Sequence, residues 1–177
     1  MVFVAKLFIA IVVLLTLAGS YILKEKKWLL SAIISPLPDD DDKAKVLDFF
    51  EQSKSEHFDE KLLSTLGEVD ESKYWLMFRI DWCDTDEVEA QANAMTKTYS
   101  IEDKFHINVS VEGASVWSLL VVYDRWLQER GYQVVLWDQG SDEYCGFICK
   151  SEVLRRFIRA GKLSGLKLMK LDHANEQ

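Results

Sequence analysis

The chain has 177 residues, a net charge of −8, three cysteines and two prolines. That length allows one domain with a real core, and the acidic balance argues against a nucleic-acid partner, since such binding rests on neutralising phosphates. An odd cysteine count rules out a complete disulfide framework and fits a reducing compartment.

The run from Leu7 to Leu23 carries no charge. At about 17 residues it would make roughly 25 Å of helix, slightly short of a ~30 Å hydrocarbon core. Val2 to Ala5 extend it, and Lys6 can snorkel. Lys24, Lys26 and Lys27 follow the run and favour keeping that side in the cytoplasm. Residues 1–27 are therefore expected to form a membrane signal-anchor, with residues 2–23 in the bilayer. A cleaved signal, with a cut near Ala18 or Ser20 and release to the periplasm, is the alternative, and an interfacial segment is the third reading. Trp28 to Ile34 is a second apolar patch, too short to span. It can lie along the membrane surface or strap onto the following domain. Pro36-Leu37-Pro38 and the four aspartates Asp39 to Asp42 then read as an extended linker, so residues 28–42 are taken as amphipathic and acidic connection.

Residues 43–177 are expected to form one acidic α+β domain. Val46, Leu47, Phe49 and Phe50 predict a helix over Lys43 to Ser53, and Phe58, Leu62, Leu63 and Leu66 a second helix stopped by Gly67, together a helical hairpin. Lys73 to Trp82 alternates and predicts a strand with Tyr74, Leu76, Phe78 and Ile80 facing the core. Thr85 to Lys97 predicts a weakly apolar helix on the surface, and Phe105 to Val111 a strand. Ser115 opens a strongly patterned helix ending at Gly131. Tyr132 to Asp138 and Glu143 to Cys149 predict a hairpin across a Gly-bearing loop. A helix over Glu152 to Ala160, ended by Gly161, and a strand over Leu166 to Leu171 complete the order. Crossovers mixed with one hairpin predict a mixed β-sheet packed by helices.

Candidate chemistry is sparse. Asp81, Asp138, Asp142 and Glu143 fall at strand ends and would form a carboxylate cluster for a divalent cation if those ends converge. Turn-forming hydrogen bonds are the simpler role for Asp138, Asp142 and Ser141. No catalytic residue is assigned. Ser141 lacks a histidine neighbour and an elbow motif, and neither a phosphate loop nor a dinucleotide fingerprint occurs. Cys83 lies between a strand and a helix start, where a thiol's pKa can fall, although a buried inert thiol is expected. Cys145 and Cys149 on one strand would be about 13 Å apart, too far to bond. No metal-ligand spacing occurs and no cofactor is expected. Among the tryptophans at element edges, Trp82, Trp117, Trp126 and Trp137, core closure is expected over exposed anchoring.

Charge is uneven: residues 39–143 hold about 25 acids against 10 bases, whereas 144–177 hold about 7 bases against 3 acids. Arg155, Arg156, Arg159 and Lys162 form a candidate basic surface, either paired with the protein's own acids or facing anionic lipid or an acidic partner.

The run Trp137 to Phe147 and the helix after Ser151, with the earlier Phe78-Arg79-Ile80-Asp81-Trp82 strand and its acidic helix bearing Glu87 and Glu89, resemble a bacterial family known as domain of unknown function 6630. The resemblance covers Tyr74 to Phe157 and leaves the anchor and acidic linker outside. It implies an α+β module and assigns no residue a role. The expected function is a non-enzymatic binding protein at the inner membrane, its acidic domain facing the cytoplasm and suited to a basic protein partner, such as a toxin-immunity protein or an anchored adaptor. A metal-dependent hydrolase built on Asp81, Asp138 and Asp142 is the alternative.

Overall fold

A computed structural model of the chain describes residues 2–69, 73–108 and 113–172, with side chains from Ile11 onward. The first element is one unbroken helix, α1, Val2–Ile34. At 33 residues it is about 50 Å long. No proline interrupts it before Pro36, whose ring disfavours helix at Ser35 and ends it. The lysines that follow the apolar run therefore sit inside a helix and do not break it.

The two ends of α1 meet different surroundings. Leu29, Leu30, Ile33 and Ile34 are buried, as is Leu37 just beyond. Ile11 to Leu15, Leu17, Tyr21 and Leu23 are exposed, with Leu14 at 66%. Trp28 to Ile34 is thus the strap packed on the domain. Among the described residues no helix is long and apolar enough to cross a membrane. The side chains ahead of Ile11 are not among those described.

The acidic run does not form an extended spacer. Asp39 caps α2 (Asp40–Gln52) by accepting from the Asp41 backbone N–H at 2.9 Å, and Asp40 to Asp42 occupy the first turn. Carboxylates there face the positive end of the helix dipole and satisfy its free amides. Asp42 also accepts from the Tyr74 hydroxyl at 2.9 Å. Helix α3 (Phe58–Gly67) folds back on α2 through Phe50 and Phe58, whose ring centroids are 5.2 Å apart. The expected helical hairpin is present.

Four strands follow: β1 (Phe78–Asp81), β2 (Tyr132–Trp137), β3 (Glu143–Lys150) and β4 (Leu168–Lys170). They order as β1-β3-β2-β4. Every pairing is antiparallel, so the sheet is not mixed. The crossovers are present, from β1 to β2 and from β3 to β4, but each skips one strand, so the parallel strands they join are never hydrogen-bonded neighbours. The hairpin of β2 and β3 is its centre, with Val135 opposite Phe147.

Side-chain alternation divides the sheet into two faces. Val135, Trp137, Phe147 and Cys149 share one core with α1, α2, α3 and α6 (Leu154–Leu163). Phe78, Ile80, Val134, Leu136 and Ile148 share the other with α4 (Asp86–Thr98) and α5 (Val116–Gln128). The result is an α/β/α sandwich around an antiparallel sheet, an α+β fold as expected. At its centre, Gly146 leaves room for the Phe78 ring, which an added Cβ would meet at 2.6 Å.

Three elements depart from the sequence expectation for physical reasons. Helix α4 covers the sheet and buries Val88, Gln91, Ala92 and Met95. Its inward face is partly polar because it completes backbone edges. The Gln91 side chain accepts from Arg79 N–H and donates to Arg79 C=O at 2.9 and 2.7 Å, acting as a strand partner for the open edge of β1. The expected strand over Phe105 to Val111 is absent from Phe105 to Asn108, and the rest lies outside the described residues. Asn93 pairs with both backbone groups of Phe105, and Glu89 accepts from Ile107 N–H, so α4 side chains replace a strand neighbour. Helix α6 starts after a 3-10 turn (Ser151–Val153) and runs through Gly161. Gly161 is there because Leu168 packs where its Cβ would be, 2.3 Å away. The turn after the helix falls at Gly165, with φ +90°.

Candidate functional site

Three of the four carboxylates, Asp81, Asp138 and Glu143, are held by separate partners. Asp81 ends β1 opposite Glu143. It accepts from the Cys83 backbone N–H at 3.1 Å and from the Cys83 thiol at 3.0 Å. Glu143 is held by Arg79 at 2.5 Å. Asp138 accepts from Gly140 N–H at 2.9 Å and lies 3.7 Å from Lys167 Nζ. Asp142 receives the Trp82 backbone N–H on its own carbonyl, closing the turn at 3.2 Å. The sheet register joins Asp81 and Glu143, while Asp138 is engaged with the turn and β4. Among the described residues, no group of three or more His, Cys, Asp or Glu could hold a metal ion. Turn formation accounts for these positions.

The cysteines carry no nucleophile. Cys83 is exposed, not buried, and the Asp81 carboxylate that accepts a hydrogen bond from its thiol pushes the thiol's pKa up. Cys145 and Cys149 are buried and free, and burial pushes Cys149 up to about 12. Cys149 borders a cleft of about 440 Å³ between α1 and β3, which Trp28, Tyr99, Tyr132 and Phe157 also line. The Tyr99 hydroxyl there donates to Ile148 C=O at 2.5 Å, and burial raises its pKa further. Both polar groups are thus held in their protonated forms.

Of the four edge tryptophans, Trp137 is buried and Trp117 and Trp126 are half-buried, whereas Trp82 is 63% exposed. Trp82 shares a shallow depression of about 270 Å³ with Ser141, Asp142, Glu143 and Tyr144. An aromatic ring thus projects among carboxylates at the hairpin tip.

The base of α1 carries the most constructed polar contact. Glu25 is 4% exposed and lies on the stripe of Leu29 and Ile33. Its two carboxylate oxygens accept from Arg156 Nε and Nη2 at 3.2 and 3.1 Å. The Arg156 guanidinium stacks on Trp28, 4.0 Å from the ring centroid. That bond, helped by the charges of Arg156, Arg159 and Lys24, holds Glu25 below the usual carboxylate range. A bidentate arginine–carboxylate pair fixes geometry as well as charge. The candidate basic surface therefore splits: Arg156 closes an internal clamp, and Arg155, Arg159 and Lys162 remain exposed with no ion pair among the described residues. Sequence reading missed Glu25 because the lysine cluster looked like a boundary. Carrying the helical period of Leu29 and Ile33 back to residue 25 would have placed it inside.

The fold and this site define an α+β sandwich bearing a long helix that is half core and half exposed. A family model described as Domain of unknown function (DUF6630) matches residues 26–172, and the chain belongs to that family. The match is wider than the resemblance read from the motifs, and it takes in the aspartate run and the packed half of α1. The exposed half of α1 lies outside it. No curated protein and no solved structure matches the chain.

Proposed function

We propose that the protein is a membrane-tethered, non-enzymatic binding protein whose acidic domain is held close to the bilayer by α1. The observation that carries this reading is the single helix that seats Leu29 to Ile34 in the core and leaves Ile11 to Leu23 exposed. A contiguous exposed apolar surface of that kind needs an apolar environment. Val2 to Leu23 amounts to about 33 Å of helix, enough for the hydrocarbon core of a bilayer. Lys24, Lys26 and Lys27 at its domain end favour the cytoplasmic side of an inner membrane for residues 25–172.

The domain's net negative charge and the exposed Trp82 beside Asp142 and Glu143 suit a basic protein partner. Complementary charge raises the rate of encounter, and a desolvated tryptophan is a frequent anchor. The reading is tested by fractionating cells that produce the full chain. Wild type is expected in the membrane fraction after alkaline carbonate washing, and a Leu14→Lys, Leu17→Lys variant in the soluble fraction. Wild type released by carbonate would overturn the tether. A pull-down with wild type should recover a basic partner that Trp82→Ala and raised salt both weaken; salt-indifferent capture would defeat the electrostatic part.

A further inference from the structure

We propose that the exposed basic edge of α6, with Lys24 and Lys27 on α1, seats the domain on anionic phospholipid headgroups, so that the tether selects negatively charged bilayers. This rests on the membrane reading of α1 and adds the lipid class and the face that meets it.

The placement follows from how α6 crosses α1. Val153, at the start of α6, shares a cleft with Ser35 and Pro36 at the end of α1. Arg156, one turn on, reaches back to Glu25. These contacts set Arg156 against Glu25, at the border with the exposed half of α1. Arg159 and Lys162 lie roughly one and two turns beyond Arg156. Arg159 is near enough to Glu25 to lower its pKa. Arg155, Arg159 and Lys162 recur at the spacing of one helix face, and all three are exposed. Lys24 and Lys27 are exposed on α1 at the same level. Glu25, beside Lys24 on α1, is buried and paired with Arg156, while Glu152 lies at the opposite end of α6 from Lys162. What remains is a basic collar where the apolar half of α1 leaves the domain.

That position matters because the rest of the chain opposes it. The whole chain has a net charge of −8, and its acidic domain is repelled by an anionic leaflet. A collar at the root of α1 puts its positive groups nearest the headgroups and its acids further out, where screening over about 8 Å weakens the repulsion. The Glu25–Arg156–Trp28 clamp keeps α6 at a fixed height on α1, so the collar cannot swing away. Trp28, half-buried beneath Arg156, suits the same headgroup depth.

The test is flotation of the full chain, reconstituted from mild detergent, with vesicles of phosphatidylcholine alone and with vesicles holding about a third phosphatidylglycerol. Wild type is expected to partition more strongly into the anionic vesicles, with the preference fading as salt rises. In Arg155→Gln, Arg159→Gln, Lys162→Gln, partition into neutral vesicles should stay unchanged. Its preference for anionic vesicles should fall by about fivefold per charge removed at low salt. Circular dichroism should be unaltered, since these side chains are exposed. A triple variant that keeps the full preference, or a wild type without one, overturns the collar while leaving the tether intact. A wild type that floats with neither vesicle overturns the tether itself.

Discussion

The two halves of α1 are both apolar, yet one is interior and the other is surface. From Trp28 to Ile34 the helix closes a core made with α2, α3, α6 and the sheet. From Ile11 to Leu23 its large side chains touch little else. Glu25 marks the change: it is buried, charged and clamped by Arg156 at the point where the domain ends. The contrast shows that hydropathy alone does not tell a buried stretch of helix from an exposed one. What separates them is whether the rest of the chain supplies a partner face. Here α6 supplies one for the inner half, through a helix face that also includes Phe157 and Ala160.

The contrast can be broken most directly by truncating one leucine on each side. Leu29→Ala is expected to cost about 2–5 kcal/mol of domain stability, the range for a buried leucine whose cavity relaxes only partly. Leu14→Ala should change it by less than about 0.5 kcal/mol, since its side chain packs on no core. Urea unfolding in mild detergent, followed by tryptophan fluorescence, reads both. Equal costs would mean that the halves do not differ in the way described.

A smaller effect concerns acid. Glu25 titrates in the folded state below its ordinary value near 4.5. The stabilisation it contributes is therefore fully present above that value and is lost as the pH falls through the lower folded pKa. Glu25→Gln removes this dependence. The gap in melting temperature between wild type and Glu25→Gln is expected to be constant from pH 7 to about 5 and to narrow below about 4.5. A gap that stayed constant down to pH 3 would show that the clamp does not depend on the charge.

The sequence made some of this legible and hid the rest for identifiable reasons. The central hairpin could be read because two short apolar runs, now β2 and β3, flank a Gly-bearing turn. The capped helix α5 could be read because Ser115 opens it, in fact through a reciprocal capping box with Ser118. Helix α4 reads as a surface helix in sequence because its apolar positions are few, and Gln91, Asn93 and Glu89 count as polar there. Their task is to bond the backbone of Arg79, Phe105 and Ile107, and hydrophobic periodicity does not register that task. The same side chains explain why the segment after Phe105 looks like a strand in sequence and yet, from Phe105 to Asn108, pairs with no strand. The aspartates before α2 were read as a repelling spacer because their charge was weighed without the helix dipole they face. The carboxylate cluster could not be judged at all from sequence, since it depended on where strand ends fall. Asp81 and Glu143 meet in register, and Asp138 turns toward Lys167.

The basic side chains of α6 show the same dependence on placement. Pairing with the protein's own acids and exposure to an external anion were competing expectations. Arg156 takes the first role and Arg155, Arg159 and Lys162 are left available for the second. Two faces of one helix therefore divide the work: Arg156, Phe157 and Ala160 pack toward α1 and the core, and Arg155, Arg159 and Lys162 face outward.

The central claim is that α1 is one rod with its outer half in lipid and its inner half in protein. It is tested by nitroxide labels at Leu15→Cys and Ser31→Cys in a Cys83→Ser background, with the full chain in vesicles. Residue 15 should be relaxed more by oxygen than by a water-soluble nickel chelate, as in a hydrocarbon interior. Residue 31, exposed on the packed half of α1, should show the reverse. Equal access of the chelate to both positions would contradict the account, because the outer half would then be in water.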